Sequence, residues 1–260
     1  MARSTYSPGA SMTSSRITAI SVAPSVTLFP GATLAERVVL MCASALFAGL
    51  TKEECIEIAS CAKARSFARD ELIFMQGQPA SDLILLQIGS VKLSQISLNG
   101  NEVIMSMRGK GDAISLQSDA QQCMHTCSAR AVERCRALTW EYSRLQRMLA
   151  TYPAIRRNVN SILASQLCEL EERFREVATE KAAKRLALLL LRLIKRVGTP
   201  QAGGIQISLS REELAQMTGT TLFTISRILS RWAEKGAILP RREAVLIPDP
   251  SRLEAIGNEE

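Results

Sequence analysis

Soft ligands and nucleophiles concentrate at one place in the chain, Cys123-Met124-His125-Thr126-Cys127. On a strand, where side chains alternate between faces, Cys123, His125 and Cys127 would share a side. Two thiols and an imidazole so placed could hold a metal or haem, or form a redox pair centred on Cys123 and Cys127. The plainer reading is that free cysteines are small core residues and that His125 fills a pocket. Cys55 and Cys61 stand six apart on an expected helix and share a face poorly, and Cys135 and Cys168 show no pattern. His125 is the one histidine in 260 residues, which argues against a cupin-type metalloenzyme with several imidazole ligands. No Ser-His-Asp set, phosphate-binding loop or paired-acid constellation is apparent. The expectation is a protein that is not an enzyme, with no metal site assigned and the cofactor left undetermined.

A second chemistry is carried by residues 209–236. Ser210 can cap a helix, with Glu213 three residues on as its capping-box partner. Leu214, Ala215 and Met217 supply an apolar face, and Gly219 suits a corner that needs positive φ. Thr220 or Thr221 can cap a second helix. Ile225, Ile228 and Leu229 then recur at helical spacing and face inward, leaving Thr224, Ser226, Arg227 and Arg231 outside. Two short apolar runs, 237–239 and 244–247, flank Arg241 and Arg242 as a two-stranded wing with a basic tip. This is a winged helix-turn-helix with a basic outer face, a shape that fits a DNA major groove. The residues expected at DNA are Thr220, Thr221, Leu222, Phe223, Ser226, Arg227 and Arg231, with Arg241 and Arg242 on the wing.

The totals agree with that partner. A net charge of +7 and a pI near 9.2 favour anionic partners. Seven cysteines, an odd number, lack the spacing of a secreted disulfide framework. No signal peptide is visible, and residues 38–50 and 186–194 are too short to span a bilayer, which needs about 20 apolar residues. A soluble cytoplasmic protein with reduced thiols and no membrane partner is expected.

Residues 1–33 are rich in Ser, Thr and Pro and read as a disordered tail. Residues 34–64 have helical periodicity, with Thr51 and Glu54 as a capping box. From Phe67 the period shortens to strand runs at 72–75, 83–88, 91–98, 103–108, 113–116, 126–132 and 136–142, split by turn residues. Asn99-Gly100 marks a hairpin, and Met105 and Met107 read as core. Even spacing of short strands points to a jelly roll. Helical periodicity returns at Pro153, where Leu163, Leu167, Leu170, Phe174 and Val177 form an a/d seam fit for a dimer helix. Glu169–Arg173 and Glu171–Arg175 are spaced for i,i+4 pairs. A further helix, 181–197, carries a Leu run that packs beneath the helix-turn-helix and stops at Gly198 and Pro200.

In this order, the chain resembles the Crp/Fnr family of bacterial transcription regulators. The likeness runs from about Leu46 to Ile256. It is carried by Leu46-Phe47-Ala48-Gly49-Leu50, Ile73-Phe74-Met75-Gln76-Gly77, Ile88-Gly89-Ser90-Val91-Lys92-Leu93, Asn99-Gly100 and Gly111-Asp112 in the sensor. In the DNA-binding part it is carried by residues 209–215, by Thr224-Ile225-Ser226-Arg227-Ile228-Leu229 and by Gly236-Ala237-Ile238. The resemblance implies an α+β chain with an N-terminal β jelly-roll sensor (34–150), a long dimerisation helix (151–178) and a C-terminal winged helix-turn-helix (179–260). It implies a homodimer on a palindromic double-stranded operator, with RNA polymerase as a further partner. Arg227 stands where the family pairs an arginine with guanine, and Phe223 where many members place a glutamate.

The departures concern the signal. Members that bind cyclic AMP carry Gly-Glu-Leu after the Gly-Asp turn, and later an Arg-Ser or Arg-Thr pair whose guanidinium holds the cyclic phosphate. Here the first segment is Ala113-Ile114-Ser115-Leu116, and His125-Thr126 stands for the pair. A neutral imidazole does not replace a bidentate guanidinium, so cyclic AMP is not the expected effector. The effector pocket is assigned to Ser115, Leu116, His125 and Thr126. The Fnr-type iron–sulfur pattern is also missing, because no cysteine precedes Cys42. Two alternatives stay open: a redox, metal or haem response through Cys123, His125 and Cys127, and a ligand-binding sensor without promoter-specific DNA binding.

Overall fold

The computed structural model describes residues 33–116 and 124–259. The expected tail, apart from Thr33, lies outside them, as does Cys123. Helices α1 (Leu34–Cys42) and α2 (Lys52–Ser60) are joined through a short 3-10 turn at Ala45–Phe47. Both start in capping boxes, Thr33 with Glu36 and Thr51 with Glu54, each satisfying two otherwise orphan N–H groups.

Strands β1 (Lys63–Phe67), β2 (Leu72–Phe74), β3 (Asp82–Ile88), β4 (Val91–Ile96), β5 (Glu102–Arg108), β6 (Ala113–Ile114), β7 (Ser128–Ala131) and β8 (Cys135–Glu141) follow. They make two antiparallel sheets, ordered β1-β8-β3-β6 and β2-β7-β4-β5, the two layers of the expected jelly roll. The run Leu83-Ile84-Leu85-Leu86 is apolar throughout because both of its faces are covered. Ile84 and Leu86 meet Phe74, Val91 and Ala129 between the sheets. Leu83 and Leu85 point to the other side, against Phe47, Ile58 and Leu149 of the helices.

The hairpin at Asn99-Gly100 is present, but its turn is longer than a two-residue loop. The Gly100 N–H donates to the Ser97 carbonyl at 2.9 Å, which places Leu98 and Asn99 at the turn centre, and Gly100 takes a left-handed φ of 80°. Several runs are shorter than expected: 126–132 contracts to β7, and 113–116 to β6. β1 and α3 (Tyr142–Thr151) were not foreseen.

α4 (Pro153–Thr179) opens on a proline, whose missing N–H has no helical partner to lose. α5 (Ala182–Val197) follows. The C-terminal unit holds β9 (Thr199–Gln201), β10 (Gly204–Ile207), α6 (Arg211–Thr218), α7 (Leu222–Glu234), β11 (Leu239–Arg241), β12 (Ala244–Ile247) and α8 (Pro250–Glu259). The wing sheet is wider than the two strands expected, ordered β11-β12-β10-β9. Leu186, Leu190 and Leu193 of α5 do pack beneath α6 and α7, in one core with Leu214, Ile225, Ile228 and Trp232. That core also takes Ile104 and Met107 of β5, so the C-terminal unit is seated on the second β-sheet. Met107 is therefore core, whereas Met105 is only partly buried.

Candidate nucleic-acid interface and sensor cavity

The helix-turn-helix is closed by local bonds. Ser210 caps α6 in a box with Glu213, and Gly219 ends it at φ 61° and ψ 45°. An L side chain there would meet left-handed strain. Thr221, rather than Thr220, caps α7, accepting from the Thr224 N–H at 3.2 Å. Ile225, Ile228, Leu229 and Trp232 are buried. The opposite face presents Thr221, Leu222, Phe223, Arg227 and Arg231 to solvent, with Ser226 and Thr220 partly covered. Phe223 is 76% exposed, so it does not pack against α6. On the wing, Arg242 is exposed, while Arg241 donates to Gln206 at 3.1 Å. The tip is less basic than expected, since Glu243 stands there too and pairs with Arg69 of the β-roll at 2.7 Å.

Between this head and the β-roll runs a charged seam that sequence reading did not find. Lys92 of β4 meets Glu213 of α6 at 2.9 Å. Burial alone would raise the Glu213 carboxyl, but hydrogen bonds from Lys92 and Ser210 outweigh it and hold the group below the usual carboxylate value. Glu176, 3% exposed, takes a bidentate pair from Arg192 at 2.6 and 2.8 Å. The two i,i+4 pairs expected on α4 do not form. Glu169 instead meets Arg196 of α5 at 3.0 Å, and Arg175 meets Glu172 and Glu180 at 3.5 and 3.6 Å. Arg173 turns inward and donates to the carbonyls of Met105, Ile104 and Met217. For Glu169 and Arg173, partners on other elements win over the helix's own neighbours, because those partners are partly buried and less screened; Arg175 instead stays with Glu172 of its own helix and Glu180 at the helix end.

On the free side of α4, Leu167, Leu170, Phe174 and Val177 are 56, 45, 76 and 53% exposed. Leu163, the first seam residue, is partly buried against the sensor-side helical core.

The assigned effector residues are not brought together. His125 and Cys127 lie in a loop, not on a strand, so the shared-face argument does not hold for them, and Cys123 lies outside the described residues. The ring of His125 stacks on Phe74 at 3.8 Å, its backbone bonds to Gln78 and Gly77 at 2.8 Å, and burial lowers its pKa. Leu116 packs with the α1–α2 core. Ser115 adopts φ 60°, and its hydroxyl is buried without a hydrogen-bond partner among the described residues. Of the four, Thr126 lines a cavity of about 300 Å³ between the β-roll and α4, joined by Cys127, Arg108, Gln166 and the seam residues Leu167 and Leu170. Arg108 was missed because it ends the strand run 103–108, where nothing in the sequence marks a charged residue as buried. No group of three or more His, Cys, Asp or Glu that could hold a metal occurs among the described residues, and none of their helices is long and apolar enough to cross a membrane.

Comparison with known proteins places both halves. Residues 64–152 match the cyclic nucleotide-binding domain and residues 184–256 the Crp-like helix-turn-helix domain. The chain is 28% identical over 189 residues to the CRP-like cAMP-activated global transcriptional regulator of Mycobacterium tuberculosis, covering 72% of this chain and 84% of that one. It is 29% identical over 214 residues to the cyclic AMP receptor protein of Thermus thermophilus, covering 82 and 97%. The fold is similar to that of FixK2 from Bradyrhizobium japonicum, with a TM-score of 0.67 at 23% identity over 75% of this chain and 96% of that one. With a β-roll of the nucleotide-binding type carried through one long helix to a Crp-like helix-turn-helix, this chain belongs to the Crp/Fnr family of transcription regulators.

Proposed function

We propose that the chain acts as a cytoplasmic homodimer, not an enzyme, that reads a palindromic operator and answers to a ligand other than cyclic AMP. The working division is a sensor over residues 34–150, a dimer helix over 151–178 and a reading head over 179–260. The observation that carries the reading is the pairing of two exposed surfaces. One is the apolar stripe of Leu167, Leu170, Phe174 and Val177 on α4, which a second copy would cover. The other is the outer face of α7. Two such helices, about 34 Å apart, would enter successive major grooves. Arg227 would pair with guanine, and Phe223, unable to accept from a cytosine amine, would touch a thymine methyl. Contact with RNA polymerase belongs to the same reading.

A neutral imidazole stacked on Phe74 leaves no guanidinium at the position of the family's phosphate-binding arginine, which supports the exclusion of cyclic AMP. Selection of sites from a random DNA pool, run with wild type, Phe223→Glu and Leu170→Glu, tests the whole reading. Wild type should yield an inverted repeat, and Phe223→Glu a repeat with C·G at one half-site position. Leu170→Glu should sediment as a monomer and enrich no repeat. Identical half-sites from wild type and Phe223→Glu exclude Phe223 as a reader, and a Leu170→Glu protein that stays dimeric moves the interface elsewhere. Calorimetric titration showing micromolar cyclic AMP binding defeats the ligand exclusion.

A further inference from the structure

We propose that the cavity between the β-roll and α4 takes a small organic anion, an oxyanion head on an apolar body, with Arg108 as its counter-charge. The proposal rests on the sensor reading above. Arg108 ends β5 and is 7% exposed, yet its guanidinium makes no hydrogen bond or ion pair among the described residues. Its cationic neighbours are settled: Arg173 on three carbonyls and Arg196 on Glu169. Burial first, and then the charge of Arg196, pull Arg108 below the ordinary arginine value; Asp112, which accepts from the Gly109 N–H, and Glu169, engaged by Arg196, pull more weakly the other way without forming an ion pair with it. Such a charge is costly to bury, and an entering anion removes that cost.

The surroundings define the rest of the ligand. Thr126 and Gln166 supply neutral hydrogen-bonding groups, and Leu93, Met105 and Leu170 an apolar wall. Glu169 also borders the cavity, but its carboxylate is engaged by Arg196. The cation comes from β5, not from the loop at His125 where the family's phosphate-binding arginine belongs. Leu170 belongs both to this wall and to the exposed stripe of α4, so an occupant touches the helix that carries the dimer contact.

The test uses the full chain and four probes in calorimetric titration. Octanoate is the carboxylate, phenyl phosphate the phosphomonoester, octanol the neutral control and inorganic phosphate the bare oxyanion. Wild type should bind at least one of the first two, with octanol and inorganic phosphate weaker by about tenfold or more. Arg108→Leu should lose about tenfold or more, and Arg108→Lys less, because it keeps the charge. Thr126→Val should lose severalfold; Arg108 also borders a second cavity of about 370 Å³, which Thr126 does not line. Circular dichroism checks that each variant is folded. The proposal is overturned if neither organic anion binds wild type, if octanol or inorganic phosphate binds as tightly as they do, or if folded Arg108→Leu or Thr126→Val binds like wild type. Failure of operator selection alongside Arg108-dependent anion binding counts against the regulatory reading and leaves the site standing.

Discussion

Ser210 finds its partner, Glu213, three residues along the chain, whereas Arg108, buried at the end of β5, finds none among the described residues. The same contrast runs through the two halves. In the reading head, Thr221 bonds to Thr224, and the Thr218 hydroxyl to the Leu214 carbonyl at 2.7 Å. In the sensor, Asn158 reaches back to the carbonyls of Leu46 and Ala48 at 3.0 and 2.8 Å, and the Trp140 indole to that of Ile58 at 3.0 Å. The head has orphans too, Gln216 Oε1 and Trp232 Nε1, but both are neutral and cost far less than a charge. A part closed by near neighbours holds one shape before it meets DNA. A part whose buried groups depend on distant or external partners can hold more than one, as a sensor must.

The sharpest way to break this contrast is to delete two arginines that differ in pairing, the partly buried Arg192 and the buried Arg108. Arg192→Leu strands Glu176 and should destabilise by about 3–5 kcal/mol. Arg108→Leu removes a cation that has no partner and should leave the unfolding midpoint unchanged or raise it. Urea titration of both variants decides; equal losses would mean that Arg108 is settled after all. On the DNA side, Arg227→Ala should lower operator affinity by about 1–3 kcal/mol while the salt dependence of non-specific binding stays near that of wild type. Electrophoretic shifts at several salt concentrations measure it. Local closure itself should cost the same in both halves: Thr51→Ala and Ser210→Ala should each lose about 1 kcal/mol, read from thermal or urea unfolding. The smallest effect joins the halves. Glu213 is held below its ordinary value of 4.5 in the folded chain, so its contribution is complete above that pH and fades as pH falls through the folded value. Glu213→Gln should flatten the acid limb of stability between about pH 5 and 3 by under about 1 kcal/mol, and a limb identical to wild type would show Lys92–Glu213 to be idle.

What the sequence disclosed follows the same division. Thr51 with Glu54, Ser210 with Glu213, and Gly219 at its corner were readable because each partner is a few residues away. The strand β1 was not: Lys-Ala-Arg-Ser-Phe has no apolar alternation, and it is a strand because β8 offers it a register from Lys63↔Thr139 to Phe67↔Cys135. β9 carries a proline and lies exposed at an edge, where a missing donor is tolerated, so its signal is weak. Four effector residues were assigned by resemblance, and Thr126 is the one that lines the cavity. Arg108 and Gln166 stand 58 positions apart in number and meet only when the β-roll is laid against α4. The Glu169–Arg173 pair on α4 failed for the complementary reason, since spacing on one helix says nothing of better partners across a groove.

Arg173 gives that groove a mechanical character. One flat guanidinium on α4 is shared by two carbonyls of β5 and one of α6, and its geometry is rigid. It cannot stretch to follow both strand and helix if they slide apart; it must let go of one. Met105, whose carbonyl it holds, also borders the cavity beside Arg108. Any displacement of β5 by an occupant is therefore passed on as a choice between two attachments. Such a coupling behaves as a ratchet tooth rather than a spring, and it predisposes the head to discrete positions instead of a continuum.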